Sequence, residues 1–503
     1  MSDRILDAAH RFVPPAVQSL AVQPSTHQVI TGFGTTLVVW LILLMAQPAY
    51  GQQALMGNWL PLGGLAMVLG TALALVVGYV RQFEPTVVTS IRQLYLTSLV
   101  VIATGVLAWV LSSLAINPFM SPLVACGMLL TVFVNGRVGL VVTILEGLLL
   151  AVLPGHDATS TLVSLIGSAI AIYAVSRVQQ RYDVFRAGLF ASLVAAWVVA
   201  ALSTLAGLMP SAWYVNAGYA ALSGVGSAIM VVGVLPLMED LFGITTTFKL
   251  LELANPSQPL LRELQMKAPG TYHHSILVGN LAEAAAEAIG ADALLVRVGS
   301  YYHDIGKTKR PYFFVENQLG MANQHDRISP RLSALVITAH VKEGLEMARE
   351  HKLPAIIQEF IATHHGTSLV SYFYHQAVQA EGQRQVQEEH FRYPGPRPRT
   401  RETGIVMLAD GVEASCRSLK TPTPDQIEAM VRKIVDKRLA DGELSEAPLT
   451  LKEIEKVAAA FIRVLTGLFH QRIEYPDQVF RELRGGAEPE HKVKGKQVGH
   501  LSK

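Results

Sequence analysis

The chain has 503 residues, enough for more than one folding unit; half are hydrophobic, 16% are charged, and the net charge is +2. So even a balance argues against a nucleic-acid polymer as partner, which would call for a basic face. Two cysteines, Cys126 and Cys416, cannot make a disulfide framework.

The averages conceal two different polymers. From Val29 to Leu237 there are ten charged residues, and nearly all the remaining charge follows Glu239. A water-soluble domain could not cover its surface with so few, so the first part belongs in a bilayer. After an N-terminal segment (1–28), apolar stretches fall at Val29–Met45, Trp59–Val80, Leu94–Leu114, Pro122–Val134, Val138–Leu153, Thr161–Val175, Ala187–Leu208 and Val215–Leu237. A span takes about 20 residues. The fourth and fifth stretches are shorter, part only at Asn135-Gly136-Arg137, and read as a tight helical hairpin. The expected count over 29–238 is eight.

Alternate loops divide sharply in charge. One set carries Arg4, Arg11, Arg81, Arg92, Arg137, Arg177, Arg181, Arg186 and Lys249; the other, around Gln52, Asn117, His156 and Pro210, carries no Lys or Arg. Positive charge stays on the cytoplasmic side, so both termini are expected there, in the cell (inner) membrane. Ala46-Gln-Pro-Ala49 resembles a signal-peptidase site, an alternative that would remove the first span and leave the later orientation unchanged. Glu146 is the one acidic residue placed in the hydrocarbon, and is expected to be a protonated or hydrogen-bonded interior side chain.

Beyond Leu237 the character changes. Residues 239–271 form a juxtamembrane coupling segment with Leu250, Leu251, Leu253, Leu260, Leu261 and Leu264, broken by Pro256 and Pro259. From 272 to 484 the period is helical. Ile276, Leu277, Asn280, Leu281, Ala284, Ala285 and Ile289 mark one helix; Ile454, Val457, Ala458, Phe461 and Leu465 mark another. The expected fold class is therefore all-α: a polytopic transmembrane helix bundle followed by a cytoplasmic all-helical domain. The tail, 485–503, has no apolar period and is expected to be disordered. A polar insert, Gln376–Thr403, lacks a core stripe, lies between a histidine pair and Asp410, and is expected to wall an active site.

Chemistry concentrates in that second half. His303 and Asp304 are adjacent, so both can enter one cleft, and a carboxylate can bridge two metals where an imidazole cannot. His274, His340, the pair His364-His365 and Asp410 complete the order His, His-Asp, His, His-His, Asp. Each histidine alone reads as a packed core residue; the ordered set reads as a dinuclear metal site. Imidazole and carboxylate suit two divalent first-row ions, Mn or Fe, better than Ca or Mg. Such a pair can hold a bridging water as hydroxide and neutralise a phosphodiester under in-line attack.

The array resembles the HD superfamily of metal-dependent phosphohydrolases. Ala268–His274, Tyr302–Phe314, Ile337–Val341, His364–His375, Phe391–Pro396 and Val406–Ala414 resemble, more narrowly, its seven-transmembrane HD phosphodiesterases acting on cyclic di-AMP. The resemblance implies one metal on His274, His303 and Asp410, a second on His340, His364 and His365, and Asp304 as the bridge, with His273 in a supporting or structural role. It implies hydrolysis of cyclic di-AMP to 5′-pApA, and a homodimer is compatible with it. Lys307, one turn from Asp304, is expected on phosphate, with Arg310 a weaker candidate; Thr367, Ser368, Tyr372 and Tyr393 are candidates for base or sugar. Family members carry a large extracellular domain between the first two spans; only Ala46–Asn58 stands there in this chain, so sensing by a folded external module is not expected. The double histidine runs into Gly366-Thr-Ser-Leu-Val, without the Gly-Tyr-Pro of the cyclic di-GMP enzymes, which disfavours that substrate. The alternatives are a nucleotide-binding membrane receptor with little turnover and, last, a transporter with a regulatory HD domain. A full ligand set favours the enzyme.

Overall fold

In this computed structural model the described residues run from 34 to 469, apart from 35, 42–51, 54, 86, 88, 89, 154, 177, 179, 209, 319–321, 420 and 421. The expected N-terminal segment (1–28), the tail (485–503) and much of the first apolar stretch lie outside them. Residues 36–41 of that stretch are helical, and the Trp40 indole is seated against Gly105. The described residues form helices and no strands, with one isolated bridge between Leu369 and Arg392.

Beside the partly described first stretch, whose Trp40 packs with Leu69 and Ala108, the described residues of the bundle form seven longer helices: α1 (Leu60–Phe83), α2 (Ile91–Ser113), α3 (Leu123–Phe133), α4 (Gly136–Leu150), α5 (Ala158–Val175), α6 (Arg181–Leu205) and α7 (Pro210–Phe242). Five of them, all but α3 and α4, are long and apolar enough to cross a membrane. The 11 and 15 residues of α3 and α4 give rises of about 16 and 22 Å at 1.5 Å per residue, short of a ~30 Å hydrocarbon core. They form the expected hairpin, turned at Asn135, whose side chain accepts from Val138 N at 2.9 Å. Ten of the eleven α3 residues are buried by neighbouring helices, and short helices are tolerated at membrane depth when protein encloses them. The 33 residues of α7 run about 50 Å, so its C-terminal end, with Glu239 and Asp240, overshoots the apolar layer.

The loops sort by bundle end as their charges do. Asn135 and Arg137 reach Glu84 at 2.9 and 3.3 Å, so the hairpin tip meets the α1–α2 connection. Arg181 reaches Glu239 at 3.7 Å and Glu252 at 2.8 Å, bringing the start of α6 to the end of α7. At the other end Asn117 donates to Asn216 at 2.8 Å. The arginine-bearing connections therefore share one end of the bundle with the second domain.

Between the halves lie α8 (Thr247–Leu253) and α9 (Pro259–Lys267). Thr246 caps α8, accepting from Lys249 N at 3.3 Å. Phe248 is buried in the bundle core, whereas Leu250, Leu253, Leu260, Leu261 and Leu264 are buried in the core of the second domain. The coupling segment is thus shared by two cores.

The second domain packs α10 (Pro269–Ile289), α11 (Ala293–Tyr302), α12 (Pro330–Glu350), α13 (Ala355–Thr363), α14 (Ser371–Glu381), α15 (Arg401–Arg417), α16 (Pro424–Ala440) and α17 (Leu451–Leu468). Capping boxes at Thr400, Thr423 and Thr450 start the last three. The stripe expected on α17 is the buried one. On α10 the buried face is instead His274, Val278, Leu281 and Ala285, and Asn280 is exposed. Polar and small residues hold that face because it abuts the site, so hydrophobicity alone misplaces it. The insert also departs from expectation: Ala377, Val386 and Phe391 join Phe373 and Ala334 in a small core of their own.

Candidate metal centre

Every expected ligand is held by the end or the buried face of a helix. His274 sits near the start of α10 and His303 caps α11. Asp304 opens a 3-10 turn (Ile305–Lys309). His340 lies on α12, His364 caps α13 with His365 next to it, and Asp410 lies mid-way along α15. Gly306 lets the 3-10 turn lie on α12: a Cβ there would fall 1.9 Å from the carbonyl oxygen of His340. That close approach brings Asp304 to His340.

Asp304 is the centre of the arrangement, 1% exposed. Its Oδ2 lies 3.2 Å from His303 Nε2 and 3.6 Å from His274 Nε2; its Oδ1 lies 3.3 Å from His340 Nε2 and 3.5 Å from His364 Nε2. Asp410 Oδ1 is 3.1 Å from His274 Nε2, and its Oδ2 is 3.5 Å from His365 Nδ1. Two groups result, His274–His303–Asp304–Asp410 and Asp304–His340–His364–His365, each with its donor atoms within 4.8 Å of one another. Asp304 belongs to both, one oxygen to each.

The rings are aimed from behind. Nδ1 of His303, His340 and His364 donates to the carbonyl three residues back, at 2.6, 2.6 and 2.9 Å, which presents Nε2 to the centre. Glu413 takes that role for His274. His365 presents Nδ1 instead, its ring lying 4.2 Å from that of Tyr393.

Donor chemistry fits a cation. Both oxygens of Asp304 and Nε2 of His303 are buried without a directed hydrogen bond, although Lys307 Nζ stands 2.8 Å from Oδ2. Such orphaned atoms are costly unless something fills the space between them. Burial works against ionising Asp304, but Lys307 and His303 outweigh it and hold the carboxyl well below the usual range. Burial likewise opposes ionised Asp410, and hydrogen bonds from His274 and His303 outweigh it. His303 would lose its charge through burial, yet Asp304 and Asp410 carry its pKa up to about 10. Burial and neighbouring imidazoles push His364 down to about 4. Two ionised carboxylates among neutral or proton-holding imidazoles form a ligand set in which a divalent ion would displace protons. These residues can hold divalent metal.

The remaining candidates divide. Lys307, 12% exposed at its side chain, bridges Asp304 and Glu316 (3.0 Å) and lines a cleft of about 440 Å³ with Ser368, Tyr393 and ligands of both groups. Arg310 is turned to Glu343 at 2.5 Å, Thr367 donates to buried Glu443 at 2.7 Å, and Tyr372 is 65% exposed; none of the three lines the cleft. His273 is exposed. Tyr393 makes the insert a wall of the cleft, as expected. Sequence reasoning missed Glu413, Glu316, Lys437 and Arg438; only Glu413 left a signal, one helical turn beyond Asp410.

This geometry meets the known proteins at two places. The model of a family described as a 7TM receptor with intracellular HD hydrolase matches residues 59–246, the stretch of the seven bundle helices, and the HD domain model matches 271–415. The chain thus carries a stretch similar to that membrane region followed by one similar to an HD domain. The cyclic-di-AMP phosphodiesterase PgpH of Bacillus subtilis is 37% identical over 433 residues, 83% of this chain and 60% of that protein. PgpH of Listeria monocytogenes is 40% identical over 363 residues, 71% of this chain and 50% of that one. The solved HD domain of L. monocytogenes PgpH, in complex with cyclic di-AMP, is 46% identical; the match covers 42% of this chain and 99% of that one, with a TM-score of 0.42. The chain thus spans half to three-fifths of the length of these curated relatives.

Proposed function

We propose that this chain is a membrane-anchored phosphodiesterase that opens cyclic di-AMP to linear 5′-pApA at a dinuclear centre, with the HD domain and both termini cytoplasmic. The observation that carries the reading is the sharing of Asp304, one oxygen to each of two four-residue ligand groups. Two bound first-row ions, Mn or Fe, would lower the pKa of water so that hydroxide attacks, and would offset charge gathering on phosphorus. The chain does the rest. Asp304 and Asp410 supply the anionic charge that lets two cations sit together, and the backbone carbonyls behind His303, His340 and His364 keep Nε2 aimed. Lys307, charged and buried beside Asp304, faces the cleft where a phosphate oxygen would lie. No protein nucleophile is required. The relatives named for cyclic di-AMP support that substrate over cyclic di-GMP.

Sealed membrane vesicles containing the full chain and Mn test both parts at once. Inverted vesicles should convert external cyclic di-AMP to pApA, faster than they open cyclic di-GMP, and right-side-out vesicles should not. Nucleotide bound tightly without product, at full metal content, would favour the receptor reading; turnover only in right-side-out vesicles would reverse the orientation.

A further inference from the structure

Four cationic side chains line the cleft: Lys307, Arg417, Lys437 and Arg438. Two are spent on carboxylates, Lys307 on Asp304 and Glu316, and Arg417 on Glu413 at 3.5 Å. Lys437 and Arg438 have no ion pair among the described residues. Arg438 is half-buried, and the one described hydrogen bond of its side chain donates from Nη1 to the neutral hydroxyl of Ser368. A guanidinium carries five donors in a rigid fork. Holding one partly desolvated, with a single neutral partner, is unfavourable unless an anion completes it. Its Nη2 lies beside Gly411, next in the chain to Asp410: a Cβ at Gly411 would be 3.8 Å away. The free cation therefore stands beside the ligand groups rather than across the domain.

A cyclic dinucleotide carries two phosphodiesters in one ring, so when one sits at the metals the other is held in the same cleft. We propose that Arg438, positioned by Ser368 and flanked by Lys437, binds this second, uncleaved phosphate, an inference that rests on the phosphodiesterase reading above. Ser368 then serves the substrate through Arg438 and not by touching base or sugar. All of α16 lies beyond residue 415, where the HD-domain match ends. The shared core thus brings the metal ligands, and the added helix selects for substrates with two phosphates.

The test compares two substrates on the full chain in detergent with Mn: cyclic di-AMP, and bis(p-nitrophenyl) phosphate, which has a single phosphodiester. Arg438→Ala should lower kcat/KM, mainly through KM, at least about tenfold further for cyclic di-AMP than for the one-phosphate ester. Arg438→Lys should recover part of the difference, keeping the charge without the fork. Equal losses on both substrates, or no loss on either, overturn the inference. A wild type that cleaves only the one-phosphate ester sinks the cyclic di-AMP reading instead. The subsite is then read from inhibition of that cleavage by linear pApA, whose Ki should still rise about tenfold in Arg438→Ala; an unchanged Ki rejects it.

Discussion

The two halves differ in where they leave buried polar groups open. In the bundle, several hydroxyls bond a carbonyl one turn back in their own helix, Thr131 to Gly127 O at 2.7 Å, Ser168 to Ser164 O at 2.7 Å and Ser192 to Gly188 O at 2.8 Å, while Ser223 crosses to Ser121 O and Thr97 and Thr161 have no described side-chain partner. Glu146, fully buried on α4, follows the expectation of a hydrogen-bonded interior side chain, accepting from Thr104 at 2.6 Å. Where lipid admits no water, the carbonyl one turn back is the partner a hydroxyl always has within reach. In the HD domain Ser300 and Thr363 bond locally in the same way, but the Nε2 atoms and carboxylates of the site face groups from distant parts of the chain, and the oxygens of Asp304 have no directed hydrogen bond. Local satisfaction builds a scaffold; satisfaction withheld until a ligand arrives builds a site.

The comparison breaks first, and furthest, at the shared ligand. Asp304→Asn keeps shape but removes the anion common to both groups, so two close cations would repel. Hydrolysis should fall by more than the roughly 10–100-fold typical of changes to a ligand's supporting partner, with at least one metal lost per chain. Metal analysis beside activity decides it: wild-type turnover at full metal content would refute the dinuclear assignment.

Glycines sharpen it next, because both halves use them for close backbone approach. Gly306→Ala drives a methyl into His340 O, while Gly188→Ala on α6 meets Ala228 and the carbonyl of Gly224, 2.8 Å away, on α7. Each should cost about 1–3 kcal/mol. Only Gly306→Ala should also lower metal content, because only that contact sets Asp304 against His340. Thermal unfolding followed with metal analysis separates the two, and metal loss in Gly188→Ala would blur the division of labour.

The smallest effect lies at the junction. The Tyr302 hydroxyl, next to His303, donates to Leu253 O at 2.8 Å and ties α8 to the site. Tyr302→Phe should cost about 0.5–1.5 kcal/mol of HD-domain stability while leaving metal content intact. Denaturant titration of the full chain measures it; metal loss would mean that the tie also shapes the ligand set.

Much of this was legible in the residues alone. Apolar runs marked the seven bundle helices, the sparse Asn135-Gly136-Arg137 break marked the hairpin, and the α17 stripe was read in its true phase. The phase of α10 was not, since Asn280 looked internal beside Leu281 while the real face carries His274 and Ser275. The insert hid its core in Ala377, Val386 and Phe391, too widely spaced to make a stripe. Thr367 and Tyr372 looked available for substrate, and only packing shows them turned to Glu443 and to solvent.

The sequence by itself determined what is local: which segments suit lipid, which loops carry positive charge, and which residue types in which order offer metal ligands. Hydropathy and donor chemistry belong to each residue wherever it lies, so they survive without coordinates. Tertiary structure alone decided the convergences. His274 meets Glu413 from 139 positions away, Arg438 meets Ser368 from 70, and the two oxygens of Asp304 are divided between ligand groups drawn from five helices. Such contacts depend on how helices pack against one another, and no period along the chain encodes that.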